Sequence, residues 1–379
     1  MTDQSDDPGS SSPTVVVLRA TAKESAGALL KVAGLTVFER ALKQLARAAA
    51  LRVIVIADGT VPLPTIFAAD RPANVEVRPP TSDPDAAIAA LARPSAPGGA
   101  TAAGTVVVVG ADVVRRQRDP LSGGIRVSDE ATRRQAEDAI FADLLRGDLG
   151  VVARHINKKI SFRITRSLLC KLPITPNQVT LGAAAIGLVG CWLIATGAAG
   201  ALVAGFALVQ LQSVLDGCDG ELARVRFQQS VIGEWLDTLV DDFLNLALVA
   251  AMGRGLWRAG YGWPAATAAT LACGMFLVYN LVSYRELVRQ GVGGELLKIR
   301  WKVARGADMK SLMNDQSGAP GGPALRAVLS LGRRDVFIFS WLVLAILHLL
   351  PVALLWAVII ALSCFGTAVG QLVAREPQG

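Results

Sequence analysis

The sequence predicts a two-part, multi-domain protein: an N-terminal α/β domain with a parallel sheet, then an all-α region of six membrane-spanning helices. Three observations carry this expectation. Short strand-like runs alternate with helix-like segments as far as Leu172. Long apolar spans dominate from Val179 onward, in a chain that is 52% hydrophobic with a mean hydropathy of +0.44. Carboxylates recur at helical spacing within those spans, between Asp216 and Asp241.

Residues 1–12 read as a disordered tail that is polar and acidic, with no cleavable signal peptide. The α/β domain is expected over residues 13–148. Val15 to Leu18, Arg52 to Ala57, Val75 to Val77 and Thr105 to Val109 are strand-like. Thr36-x-x-Glu39 is a capping box that opens a helix through about Ala49. Ser82-Asp83 starts an Ala-rich helix, Arg93 to Gly104 reads as a loop, and a polar helix from Asp129 to Arg146 closes the domain. Strands alternating with helices imply a parallel, Rossmann-like sheet covered on its faces. The five cysteines have neither metal-ligand nor disulfide spacing, which fits a reducing cytoplasm.

Residues 151–172 read as an amphipathic juxtamembrane helix. Val152, Ile156, Ile160, Ile164 and Leu168 recur every fourth position, while Arg154, Lys158, Lys159, Arg163, Arg166 and Lys171 occupy other faces. Such a helix suits an anionic membrane surface; the plainer alternative is a solvated linker helix. Pro173 stops it, and Thr175-Pro176-Asn177 starts the next helix, with Thr175 as N-cap and Pro176 at the first helical position.

The membrane domain is expected over residues 173–375, with spans at 178–197, 200–217, 231–252, 264–284, 335–350 and 352–373. A basic segment holding Arg285, Arg289, Lys298, Arg300, Lys302, Arg305, Lys310, Arg326, Arg333 and Arg334 lies between spans four and five. Between spans three and four the basic residues are Arg254 and Arg258. By the positive-inside rule, both termini and the basic segment face the cytoplasm in a multi-pass protein of a bacterial-type cytoplasmic membrane.

The informative run is Asp216-x2-Asp219-Gly220-x2-Ala223-Arg224-x8-Gly233-x3-Asp237-x3-Asp241. A carboxylate at the bilayer centre costs about 3 kcal/mol, so a cluster of them marks a functional site. Asp216 and Asp219 share one helix face, as do Asp237 and Asp241. Antiparallel packing of the two helices would bring all four together as a site for two divalent cations. Oxygen ligands alone suit Mg²⁺ or Mn²⁺ rather than zinc, and two bridged ions would clamp a diphosphate. Arg224 offers a fork for phosphate oxygens, and Gly220, Ala223 and Gly233 let a nucleotide approach helix backbone. Helix-end carboxylates balanced by Arg224 and Arg226 are the plainer reading. That reading explains neither Asp237 and Asp241 within a span nor the small residues between the pairs.

The run resembles the signature of the CDP-alcohol phosphotransferase (CDP-alcohol phosphatidyltransferase) family, D-x2-D-G-x2-A-R-x8-G-x3-D-x3-D, at every fixed position. The resemblance extends to the preceding helix and to the Thr175-Pro176-Asn177 entry. It implies transfer of a phosphoalcohol from a CDP-alcohol donor to an acceptor alcohol with release of CMP, CDP-diacylglycerol being the commonest donor pattern. It also implies that Asp216, Asp219, Asp237 and Asp241 bind metal and that Asp241 acts as catalytic base. Asn177, Asp216, Gly220, Ala223, Arg224 and Gly233 would bind CDP. Membrane lipids and a second copy of the chain are the expected partners, with no nucleic acid. Lys159, Arg226 and Arg285 are candidates for an anionic acceptor, and each is equally an ordinary positive-inside charge. Asp242 stands where inositol-handling relatives often carry arginine.

Lys31 to Arg40 resembles the segment after the nucleotide loop of nucleotidyltransferase-like domains, and Asp112 sits where those place a metal aspartate. Fusions of such a domain to this membrane fold occur in inositol-phosphate cytidylyltransferase/di-inositol-phosphate-phosphate synthases. That likeness suggests a soluble CDP-alcohol such as CDP-inositol, with an inositol phosphate-like acceptor, as the alternative. The loop Arg19 to Gly27 lacks consecutive glycines, so the domain is expected to be degenerate and non-catalytic. A cation transporter is the competing class, since intramembrane carboxylates also line ion paths.

Overall fold

The computed structural model describes residues 15–21, 24–47, 52–62, 74–92, 106–110, 113–114, 124–144, 152–302 and 332–374. They form two compact units divided near residue 146.

The first unit is built on strands β1 (Val15–Ala20), β2 (Arg52–Ala57), β3 (Val75–Val77) and β4 (Val106–Gly110). They pair in the order β3-β2-β1-β4, with every described pairing parallel. Alternation along β1 decides what covers each face. Val16, Leu18 and Ala20 pack with Phe38, Leu42 and Leu45 of helix α1 (Val37–Ala46). Val17, with Ile54 and Ile56, meets Ala87, Ile88 and Leu91 of helix α2 (Pro84–Ala92) on the other face. Helix α3 (Glu130–Leu144) follows.

Half of the expected capping box forms: the Thr36 hydroxyl accepts from Glu39 N–H at 3.1 Å, while the Glu39 carboxylate turns to Lys43 at 3.2 Å. The expected helix to Ala49 is described to Ala46. Lys31 is exposed on a small hairpin whose turn residues, Ala33 and Gly34, have φ of 49° and 86°. The turn after β1 is closed by its own side chains. The buried Glu24 carboxylate accepts from Thr21 N–H at 3.0 Å, the Thr21 hydroxyl at 2.5 Å and Arg19 Nε at 2.8 Å. Asp112, the 1–12 tail and the Arg93 to Gly104 loop lie outside the described residues.

The second unit begins with a π-helical turn (Ala153–Asn157) that leads into α4 (Lys158–Ser167) and a 3-10 turn (Leu169–Lys171), rather than one uniform helix. Its buried face is also not the apolar stripe. Asn157, Ser161 and Thr165 point inward, while Ile160 and Leu168 are 43% and 52% exposed. The inward polar side chains find polar partners on one later helix (Ala199–Val225), which leaves Ile160 and Leu168 for the outside.

Among the described residues six α-helices follow: α5 (Pro176–Thr196), α6 (Ala199–Val225), α7 (Val231–Leu256), α8 (Gly262–Gln290), α9 (Arg334–Ile346) and α10 (Leu350–Val373). Thr175 and Gln178 form a complete reciprocal capping box at the start of α5, with Pro176 just inside. Among the described residues four segments are long and apolar enough to cross a membrane: Pro176–Thr196, Ala199–Val225, Val231–Gln290 and Leu350–Val373. The third holds both α7 and α8, broken where Gly260 and Gly262 take φ of 98° and 66°. Two expected boundaries change. Helix α6 continues to Val225 rather than stopping at 217, so the whole first half of the aspartate motif is helical. Helix α9 has 13 residues and ends at Ile346 instead of 350, where His348 turns the chain with a φ of 58°.

Helices α5 and α6 cross at bare backbone. A Cβ built on Gly190 would lie 2.7 Å from the Gly205 carbonyl oxygen, and one on Gly205 would lie 2.6 Å from that of Gly190. No side chain fits there. Gly205→Val is expected to destabilise the protein by about 1–3 kcal/mol through overpacking. Thermal unfolding in detergent reads this as a lowered midpoint, and an unchanged midpoint refutes it.

Candidate metal and nucleotide site

The aspartates converge because α6 and α7 run antiparallel across a short turn, and the Ser230 hydroxyl caps α7 by accepting from Gly233 N–H at 3.0 Å. Carboxylate oxygens of Asp216, Asp219 and Asp237 lie within 4.8 Å of one another. Three such charges with oxygen donors alone fit a divalent cation of the Mg²⁺ or Mn²⁺ class. Asp219 is buried and accepts from the Thr180 hydroxyl on α5.

Asp241 has a different partner. Its carboxylate is ion-paired with Arg334, the first residue of α9, and Arg334 Nη1 also bonds Asp216 at 3.2 Å. Arg334 Nη2 donates to Gln212 Oε1 at 3.2 Å, and Gln212 Nε2 donates to Asp216 at 3.4 Å. A guanidinium thus joins the two carboxylates at this end of the cluster.

These groups open onto a cavity of about 1280 Å³. Asn177, Asp219, Gly220, Ala223, Arg224, Gly233, Asp237 and Asp241 line it, while Asp216 stands behind them, bonded to Arg334. Asn177 and Gly233 adjoin: a Cβ on Gly233 would meet Asn177 Oδ1 at 3.3 Å. Arg224 is exposed and its Nε is tied to Gly220 O at 2.8 Å. Beyond the cluster, one stripe of α7 (Asp241, Asp242, Asn245, Leu246, Val249) continues the wall, faced by Tyr279 and Asn280 of α8. Asp242 accepts from the Tyr284 hydroxyl at 2.6 Å.

Lys159, Arg226 and Arg285 are not among the cavity-lining residues. Lys159 and Arg285 are exposed and Arg226 is buried. The neighbouring Lys158, rather than Lys159, points inward, because α4 turns its polar stripe toward α6. Cations that line the cavity are Arg224, Arg333 and Arg334. Sequence reasoning counted Arg333 and Arg334 only as loop charges. The available signal was that Arg334 begins an apolar span, where a cation must find a partner.

Residues 173–312 match the family model for CDP-alcohol phosphatidyltransferase. The C-terminal part of this chain carries a CDP-alcohol phosphatidyltransferase domain. The chain is also similar to a "Bifunctional IPC transferase and DIPP synthase" of Rubrobacter xylanophilus, 40% identical over 141 residues, which is 36% of this chain and 31% of that protein. A protein of the same description from Archaeoglobus fulgidus is 37% identical over 123 residues, covering 31% and 24% of the two chains. A third, from Thermococcus kodakarensis, is 36% identical over 115 residues, covering 28% and 25%. The chain thus spans about a quarter to a third of the length of the curated relatives it matches. The several apolar helices of the second unit fit a membrane protein that carries this domain.

Proposed function

We propose that this protein transfers a phosphoalcohol from a soluble CDP-alcohol, of the CDP-inositol kind, to an inositol phosphate-like acceptor with release of CMP. The observation that carries the reading is the Asp216, Asp219, Asp237 trio beside a cavity walled by Arg224, Gly220, Gly233 and Asn177. The likeness to IPC transferase/DIPP synthases favours the inositol side. Bound by the trio, Mg²⁺ or Mn²⁺ would neutralise the donor diphosphate and the negative charge building on the leaving group. Asn177, Gly220, Ala223 and Gly233 leave room for the CDP moiety along helix backbone, and Arg224 orients a phosphate oxygen. Asp241 takes the proton from the acceptor hydroxyl. That oxygen bonds to the phosphorus bearing the alcohol, and the bond from this phosphorus to the bridging oxygen breaks, releasing CMP. Arg334 and Arg333 supply positive charge for a phosphorylated acceptor. The basic segment between spans four and five supports a cytoplasmic side for the site. The N-terminal unit takes no nucleotide in this reading, because the loop Arg19 to Gly27 lacks consecutive glycines and the Thr21 N–H there is already taken by Glu24.

A second reading keeps the reaction and makes the donor CDP-diacylglycerol. It is favoured by the cavity's far wall of Phe276, Phe337, Trp341, Trp356 and Ile360, where the buried Trp341 indole N–H has no hydrogen-bond partner. Hydrocarbon with one ester carbonyl would satisfy that wall. The test is CMP release by purified protein, with both donors crossed against inositol, inositol phosphate, glycerol phosphate and serine. Metal-dependent CMP release from CDP-inositol with inositol phosphate is the expected result. Release from CDP-diacylglycerol alone selects the second reading, and metal uptake into proteoliposomes with no CMP release from either donor overturns both.

A further inference from the structure

We propose that Glu221 is a positioning residue that latches the juxtamembrane helix α4 onto the back of the metal-binding stretch of α6. The inference rests on the proposed metal-dependent transfer, for which Asp216 and Asp219 are ligands. Glu221 occupies a variable position of the motif, yet it is 1% exposed. Its Oε1 accepts from Lys158 Nζ at 2.7 Å and Ser161 Oγ at 2.5 Å, and its Oε2 accepts from Thr165 Oγ1 at 2.7 Å. The Cys218 thiol reaches the Ser161 carbonyl oxygen at 3.7 Å, and Gln210 Nε2 donates to Asn157 Oδ1 at 2.9 Å.

The face of α6 involved explains the purpose. At about 100° per residue, Gln210, Cys218 and Glu221 lie on the side of α6 opposite Asp216, Asp219 and Gly220. The cavity face and the latched face are therefore front and back of one turn. A helix gripped from behind by three donors on a buried carboxylate cannot roll, and its roll sets the separation of Asp216 and Asp219 from Asp237. A hydrocarbon side chain at 221 would pack as well but would leave that roll unspecified, and it would strand Lys158, Ser161 and Thr165. The three donors recur at near-helical spacing on α4, so its polar stripe exists to meet one carboxylate.

The test uses the purified full chain in detergent, as wild type, Glu221→Ala and Lys158→Met. The second variant removes one donor without emptying the buried site. Calorimetry with Mn²⁺ and no substrate should give a Kd raised about 10-fold or more in Glu221→Ala, the scale of loss seen when groups that orient metal ligands are removed. Lys158→Met should show a smaller rise in the same direction. Amide hydrogen exchange across 158–167 should quicken in both, and CMP release should return toward the wild-type kcat at saturating Mn²⁺. Unchanged exchange, or unchanged Mn²⁺ affinity, overturns the latch. Wild type that binds Mn²⁺ but releases no CMP from any CDP-alcohol overturns the transferase reading alone, and the latch is then decided by affinity and exchange. Wild type that binds no Mn²⁺ overturns both.

Discussion

Asp241→Asn is expected to lower CMP release by about 10²–10⁴-fold, the usual worth of a positioned general base. Mn²⁺ binding should survive, because the clustered oxygens belong to Asp216, Asp219 and Asp237. The geometry favours Asp241 for the proton. One of its oxygens is engaged by Arg334, while the other is buried with no hydrogen-bond partner and its residue lines the cavity. Asparagine keeps the shape and can still accept from Arg334, but it cannot take up a proton. Steady-state CMP release with metal saturating, alongside thermal unfolding of the same sample, separates chemistry from folding. CMP release within about threefold of wild type, set against the loss expected for a lost base, would remove Asp241 from that role.

Arg334→Met is expected to destabilise the metal-free protein by about 3–5 kcal/mol, the penalty for stripping one partner from a buried ion pair. Arg334 is the cation for two carboxylates at once, Asp216 and Asp241, and it holds Gln212 as well. Added Mg²⁺ should restore part of the loss, because a ligand that binds only the folded state stabilises it. Arg334→Lys should rescue incompletely, since one ammonium cannot reproduce the fork. Equal unfolding midpoints for wild type and Arg334→Met without metal would show that the pairs contribute nothing to the fold.

Much of the architecture could be read in the sequence because it follows local rules. The β1 and β2 runs are short, β-branched and bounded by breakers, and Thr175-Pro176 announces a helix start in two residues. The aspartate motif was legible because charge in apolar sequence has few bland explanations. Three features were not. The inward face of Asn157, Ser161 and Thr165 carries no local signal, since nothing nearby in sequence says that Gln210 and Glu221 wait opposite. Arg334 looked like one charge among many, because its partners lie more than ninety positions away in sequence. The last two spans are separable, but the first of them reads to 350 rather than Ile346, because the turn between them is itself apolar and hydropathy marks no boundary there. In the first two cases the missing information was a long-range contact; in the third it was a local turn that apolar sequence does not announce.

That short helix bears on the bilayer around the protein. Thirteen residues at 1.5 Å each reach about 20 Å, against about 30 Å of hydrocarbon. The turn that ends α9 can lie deep because it satisfies its own backbone: Leu347, His348 and Leu349 N–H groups bond to Val343, Ala345 and Leu344 carbonyls at 3.0, 3.1 and 2.7 Å. Pro351 has no N–H to satisfy. Lipids packed beside α9 would meet a hydrophobic mismatch that the longer α5 and α10 would not impose. Thin, short-chain bilayers would relieve that mismatch, so acyl-chain length is the variable expected to act on this one flank.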